Sequence, residues 1–154
     1  MPLFPKLPAP VIFGCSGLTL TSEERDFFQD TQPLGFILFK RNVQDKAQLK
    51  ALVETLKSTL QHPNPPILID QEGGRVARLT APHWFHPPAS AQLVTEDLQE
   101  AKKRVYEAYQ RMAQDLTEVG ILDRIKKLRS RIYRLASAPA WTAYYDQPIS
   151  IKSF

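Results

Sequence analysis

The sequence has 154 residues but only one cysteine, three histidines and six glycines, and each scarcity excludes a class of structure. A single cysteine, Cys15, cannot form an intramolecular disulfide and is compatible with a reducing compartment. No apolar run approaches the roughly 20 residues needed to span a bilayer. The mixed, proline-bearing first residues do not resemble a secretory signal. We therefore expect a globular, cytoplasmic protein.

The few glycines and histidines also argue against phosphate loops and metal centres. The G-x-G-x-x-G and Walker spacings are both missing, so Gly73-Gly74 predicts a close backbone approach or a positive φ. His83 and His86 flank Trp84 in a proline-rich segment, and the only other histidine is His62. Their spacing could serve a metal ion. We favour packing of this loop, and we expect no metal and no cofactor.

The net charge of +4 is unevenly distributed. Residues 1–120 carry 13 basic and 14 acidic residues, whereas residues 121–154 carry seven basic and two acidic ones. Apolar residues at helical spacing between Ile121 and Leu135 predict a basic amphipathic C-terminal helix. It could bind an anionic membrane, RNA or an acidic partner; the alternatives are that it covers apolar surface or is a frameshift product. No nucleic-acid-binding fold accompanies the charge, so nucleic acid is not an expected partner.

Short apolar runs alternate with amphipathic helical segments, which indicates an α/β fold. Apolar runs of this kind are typical of parallel strands that are buried on both faces. The predicted order is a strand at 11–13, a helix at about 22–30, a strand at 35–39, a helix from Asp45 to about residue 60, a strand at 67–70 and a helix at about 95–119. The connections between the strands are long enough for parallel pairing. If all of them have the usual right hand, the carboxyl ends of the three strands lie at one edge.

Polar residues follow the third predicted strand directly. The carboxyl edge of a parallel sheet is where ligands usually bind. Asp70 and Glu72 are two residues apart, so on an extended strand their carboxylates would point to the same side. Two carboxylates can form the acid and nucleophile of a glycosidase. The alternative is that Asp70 caps the following turn and Arg78 pairs with a surface acid. Glu72 either supports the site indirectly or is a solvated or buried structural carboxylate.

The run from Ile69 to Leu79 (IDQEGGRVARL), followed by Pro82-His83-Trp84, resembles the signature of glycoside hydrolase family 3, specifically its bacterial β-N-acetylglucosaminidases. The segments FGCSG at 13–17 and GFILF at 35–39 agree with it, and the resemblance covers roughly residues 10–120. It implies that Asp70 and Arg78 bind the sugar. An ionised carboxylate suits sugar hydroxyls because its oxygens only accept hydrogen bonds.

The resemblance also implies a (β/α)8 TIM barrel, present in part. A complete barrel needs about 250 residues, so this chain would supply about three βα units. We predict a lead-in at 1–10, the N-terminal part of the barrel at 11–120 and a divergent basic tail at 121–154. Unpaired sheet edges would then favour self-association.

The implied function is that of a retaining β-N-acetylhexosaminidase that releases N-acetylglucosamine from peptidoglycan fragments. The family's later Lys-His-Phe-Pro-Gly-His-Gly segment, with its acid/base histidine, and its aspartate nucleophile do not occur here, so no catalytic residue is assigned. A fragment without a proton donor and a nucleophile is expected to be inactive alone, which leaves open whether the chain is an enzyme. The alternatives are a non-catalytic remnant, a weak sugar-binding fragment, or an interaction protein that uses the basic helix.

Overall fold

A computed structural model describes residues 7–121, which form an α/β fold with a parallel sheet. The predicted basic helix and most of the predicted tail lie outside these residues. Within the described part, no helix is long and apolar enough to cross a membrane. The elements in chain order are β1 (Ala9–Phe13), α1 (Ser22–Thr31), β2 (Pro33–Leu38), a 3-10 turn (Lys40–Asn42), α2 (Lys46–Ser58), β3 (Ile67–Ile69), β4 (Gln71–Gly73), β5 (Val76–Ala77), α3 (Ser90–Leu93) and α4 (Leu98–Glu118).

The three predicted strands pair in parallel in the order β1-β2-β3. Phe36 at the centre of β2 is paired with Phe13 on one side and Ile67 on the other. Phe36 is fully buried, and its ring meets Phe28 of α1 with a centroid distance of 4.9 Å. One face of the sheet therefore packs on the helices, which is where the core lies.

The first two helices begin where the sequence predicts. Thr21 caps α1, because its Oγ1 accepts from the Glu24 amide at 3.2 Å while the Glu24 carboxylate accepts from the Thr21 amide at 3.1 Å. Asp45 caps α2 by accepting from the Gln48 amide at 2.9 Å. The apolar stripe of α2, which includes Leu49 and Leu56, is buried as expected.

The last helix differs from its prediction in two ways. It begins at Leu98 rather than near residue 95, because the Asp97 carboxylate accepts from the Gln99 amide at 2.8 Å and so caps the helix there. The apolar residues Leu98 and Val105 in its first half are 63% and 38% exposed. The apolar stripe is buried only in the second half of α4, where the helix lies against the core, as at Leu116.

The third strand is shorter than predicted, and a hairpin follows it. β3 ends at Ile69, and β4 then pairs with β5 in antiparallel orientation. Gly73 and Gly74 make the connection with φ values of +104° and +57°, a region that favours glycine. A Cβ at Gly73 would also collide with the carbonyl oxygen of Pro88. The glycine pair therefore meets both expectations, a positive φ and a close backbone approach.

We expect Gly35→Ala to destabilise the chain strongly. A Cβ at Gly35 would collide with the Pro66 carbonyl oxygen, which already accepts from the Phe36 amide at 2.9 Å. Overpacking of this kind costs about 1–3 kcal/mol or more. Gly17→Ala is the matched control, because its new Cβ would have only the Thr19 carbonyl oxygen within reach, at 4.0 Å. Urea unfolding should show a lower midpoint for Gly35→Ala alone; equal midpoints would contradict the strand packing described here.

Candidate functional site

The loops that follow β1, β2 and β3 meet at the carboxyl edge of the sheet. The Asn42 side-chain amide donates to the carbonyl oxygens of Cys15 at 3.1 Å and Gly17 at 2.8 Å. The Lys40 ammonium donates to the carbonyl oxygen of Arg78 at 3.1 Å. These contacts confirm the prediction that the carboxyl ends of the three strands lie at one edge.

The loop after β1 is clamped by the turn after β2. Asn42 is fully buried, and its Oδ1 also accepts from the Phe39 amide at 2.9 Å. The Arg41 Nε donates to the Cys15 carbonyl at 3.0 Å, and its guanidinium carbon lies 4.7 Å from the centre of the Phe39 ring. A buried amide and a stacked guanidinium thus fix this half of the edge.

Asp70 and Arg78 form an ion pair at the same edge of the sheet. Arg78 Nη2 donates to Asp70 Oδ2 at 3.2 Å. The Arg78 side chain is 25% exposed and that of Asp70 is 47% exposed, so solvent or a ligand can reach the carboxylate. Asp70 follows Ile69, the last residue of β3, and so lies at the carboxyl edge of the sheet. The acid with which Arg78 pairs is thus Asp70 itself, which is half-exposed.

Asp70 and Glu72 do not share one strand. β3 ends at Ile69, and Glu72 lies in β4 of the hairpin. Glu72 is exposed and makes no ion pair with any residue between 7 and 121. Among the described residues, Asp70 has a cation as its close partner.

Cys15 is buried in the loop that Arg41 and Asn42 hold. It is 3% exposed, and this burial, with the negative charge of Glu24 as a smaller cause, raises the pKa of its thiol from 9.0 to about 11. The Glu24 carboxylate also accepts from the Ser16 amide at 2.7 Å. Cys15 is therefore a protonated, packed side chain near neutral pH, which agrees with a structural role.

The histidine-bearing loop packs through Trp84. Trp84 is 6% exposed and belongs to the core, whereas His83 and His86 are exposed. The Phe85 amide donates to the Asp115 carboxylate of α4 at 2.9 Å, which ties the loop to that helix. Within residues 7–121, no group of three or more His, Cys, Asp or Glu side chains is placed to hold a metal ion.

Gln71, which no sequence pattern singles out, also belongs to the site. Its side-chain amide makes three hydrogen bonds to the backbone of Arg78 and Leu79. Only its place between Asp70 and the glycine pair could have drawn attention to it, since glutamine carries no charge and fits no catalytic pattern. Its role depends on the hairpin, which the sequence did not predict.

No model of a known protein family matches the chain. Among curated relatives, a β-hexosaminidase of Photobacterium profundum is 40% identical over 82 residues, which are 53% of this chain and 24% of that protein. A β-hexosaminidase of Xylella fastidiosa is 33% identical over 114 residues, or 72% of this chain and 33% of that protein. The chain therefore spans about a quarter to a third of the length of these relatives.

Solved structures agree with these relatives. NagZ from Neisseria gonorrhoeae, in complex with N-trifluoroacetyl-D-glucosamine, superimposes with a TM-score of 0.68 at 30% identity, covering 74% of this chain and 34% of that one. A glycoside hydrolase family 3 β-N-acetylglucosaminidase from Paenibacillus sp. gives a TM-score of 0.63 at 28% identity, covering 71% of this chain and 21% of that one.

Cys15 should make the chain sensitive to alkaline pH. Above pH 9 the thiol ionises in the unfolded chain but stays protonated in the folded one until about pH 11, so rising pH favours unfolding. The loss is up to about 3 kcal/mol between these pH values. Urea unfolding from pH 7.5 to 11 should show a fall in the free energy of unfolding that is larger than in Cys15→Ala. Parallel curves for the two proteins would contradict this.

Proposed function

Because this chain contains part of a glycoside hydrolase family 3 N-terminal domain of the β-N-acetylhexosaminidase type, we propose that it binds an N-acetylglucosaminyl group through Asp70 and Arg78. The observation that carries this proposal is the half-exposed ion pair at the carboxyl edge, where the Arg78 Nη2 and Asp70 Oδ2 lie 3.2 Å apart. Ligands of parallel α/β sheets bind at that edge.

The chemistry of the pair suits a sugar. A carboxylate offers about four acceptor positions, of which the contact with Arg78 uses one, and a guanidinium offers five N–H donors. Hydroxyl groups can donate to the former and accept from the latter. Since the two side chains already hold each other, little side-chain freedom is lost when a ligand binds.

The sheet is proposed to be one part of a (β/α)8 barrel. Ile12 of β1 and Leu68 of β3 lie on the face opposite Phe36 and are 40% and 42% exposed, which is unusual for large apolar residues of a parallel sheet. In a barrel this face is the packed interior. The exposed apolar residues therefore support a sheet that is completed by further strands.

The activity proposed for the complete domain is hydrolysis of β-linked N-acetylhexosaminides, with release of N-acetylglucosamine from peptidoglycan fragments as the substrate prediction. In this proposal Asp70 and Arg78 hold the sugar, and the reacting groups come from the family segments that this sequence lacks. A cytoplasmic location and self-association through the sheet edges stay predictions.

We expect the 154-residue chain to bind N-acetylglucosamine weakly. Two or three charge-assisted hydrogen bonds contribute roughly 1.5–3 kcal/mol each at best, against an association cost of at least ~4 kcal/mol, so the dissociation constant should be millimolar or higher. NMR titration should show shifts centred on residues 70–78 that disappear in Asp70→Asn. Glu72→Gln is the matched control, because it removes a nearby charge but should leave the shifts unchanged.

Two outcomes would contradict this proposal. Equal shifts in Asp70→Asn and the wild-type chain would show that the carboxylate does not hold the sugar. Micromolar affinity would show a far more complete pocket than residues 7–121 form.

We also expect that the purified chain does not hydrolyse a chromogenic N-acetyl-β-glucosaminide, because the residues that correspond to the family's acid/base and nucleophile are absent from it. Release of the chromophore should equal that of buffer over several hours. Turnover that is lost in Asp70→Asn or in Glu72→Gln would overturn this expectation and make the two carboxylates the reacting groups.

A further inference from the structure

Gln71 bonds the backbone just beyond the end of the hairpin. Its Oε1 accepts from the amides of Arg78 at 2.8 Å and Leu79 at 3.0 Å, and its Nε2 donates to the Leu79 carbonyl oxygen at 2.8 Å. The side chain thus satisfies three backbone groups of the returning strand. A primary amide is the neutral side-chain group that can accept and donate in this way.

These bonds occur where the strand pairing stops. In the hairpin Gln71 is paired with Ala77. One step further, Asp70 and Arg78 would face each other, but the strands make no pair there. The amide of Gln71 takes the place of the missing ladder bonds.

We propose that Gln71 is a positioning residue that holds Arg78 beside Asp70. The backbone of Asp70 is held by its place directly after β3, whereas Arg78 follows a strand of only two residues. With its amide held by Gln71, the backbone of Arg78 keeps one position, and its guanidinium reaches the carboxylate. The part of this role that concerns sugar binding rests on the function proposed above.

Lys40 cannot replace this function. Its ammonium donates to the Arg78 carbonyl oxygen and to Thr80 Oγ1, both at 3.1 Å. An ammonium has no acceptor, so it leaves the amides of Arg78 and Leu79 to Gln71. Lys40 is also exposed, whereas Gln71 is half-buried, so water competes more strongly for the bonds of the lysine.

Gln71→Met tests the proposal, because methionine has a similar length and offers none of these hydrogen bonds. The first readout is the set of 15N–1H signals of the Arg78 guanidinium, which Asp70→Asn identifies by removing the ion pair. In Gln71→Met these signals should move toward their positions in Asp70→Asn. The second readout is the affinity for N-acetylglucosamine, which should fall about tenfold, as expected for the loss of one charge-assisted hydrogen bond.

A double variant separates positioning from general stability. If Gln71 acts through Arg78, then Gln71→Met should cause no further loss of affinity in an Arg78→Met background. The matched control is Gln48→Met, because Gln48 also accepts from one amide, of Gln44 at 2.9 Å, and donates to two carbonyl oxygens, of Leu18 and Asn42. It should lower the melting temperature but leave the guanidinium signals unchanged.

The outcomes are distinguishable from failure of the proposed function. Even if the wild-type chain does not bind the sugar, the guanidinium signals still show whether Gln71 holds Arg78 beside Asp70. Unchanged signals in Gln71→Met, or additive losses of affinity in the double variant, would overturn the proposal. If Gln71→Met does not fold, Gln71→Glu keeps the acceptor and removes the donor to Leu79, and a smaller shift of the same signals is then expected.

Discussion

The backbone groups of the loops at the carboxyl edge need hydrogen-bond partners, and the rest of the site depends on which side chains provide them. Parallel strands end together, so their loops leave the ladder at the same place and lose its bonds. Two side-chain amides supply them: Asn42 bonds Cys15 and Gly17, and Gln71 bonds Arg78 and Leu79. Asn42 is fully buried and Gln71 half-buried, so these amides also need the bonds themselves and each contact holds both partners.

The amides divide the edge into two halves with different properties. The half around Cys15 is closed, since Asn42 is fully buried and Arg41 covers Phe39. The half around Asp70 is open, since the side chain of Asp70 is 47% exposed. The backbone of Arg78 is held there by the hydrogen bond from its amide to Gln71. A rigid support under an accessible ion pair is the arrangement that recognition of a polar ligand requires.

Local signals in the sequence predicted the parts of the fold that depend on few residues. The caps at Thr21 and Asp45 act within one turn of helix, so their side chains alone predict where α1 and α2 begin. The buried length of α4 could not be predicted in this way, because helical periodicity shows which residues share a face but not how far the core extends beneath Leu98. The pairing of Asp70 with Arg78 depends on a tight hairpin, and its short irregular strands have no alternating pattern to reveal them.

The charges of the edge favour a neutral ligand over an anionic one. Arg78 is compensated by Asp70, Arg41 donates to a carbonyl and lies over an aromatic ring, and the ammonium of Lys40 has two oxygen partners. A phosphate that approached Arg78 would meet the negative charge of the neighbouring Asp70 carboxylate. A sugar hydroxyl can donate to that carboxylate without displacing any of them. The Asp70–Arg78 ion pair therefore suits the neutral sugar of the proposed function better than an anion, which agrees with the lack of a phosphate-binding loop in the sequence.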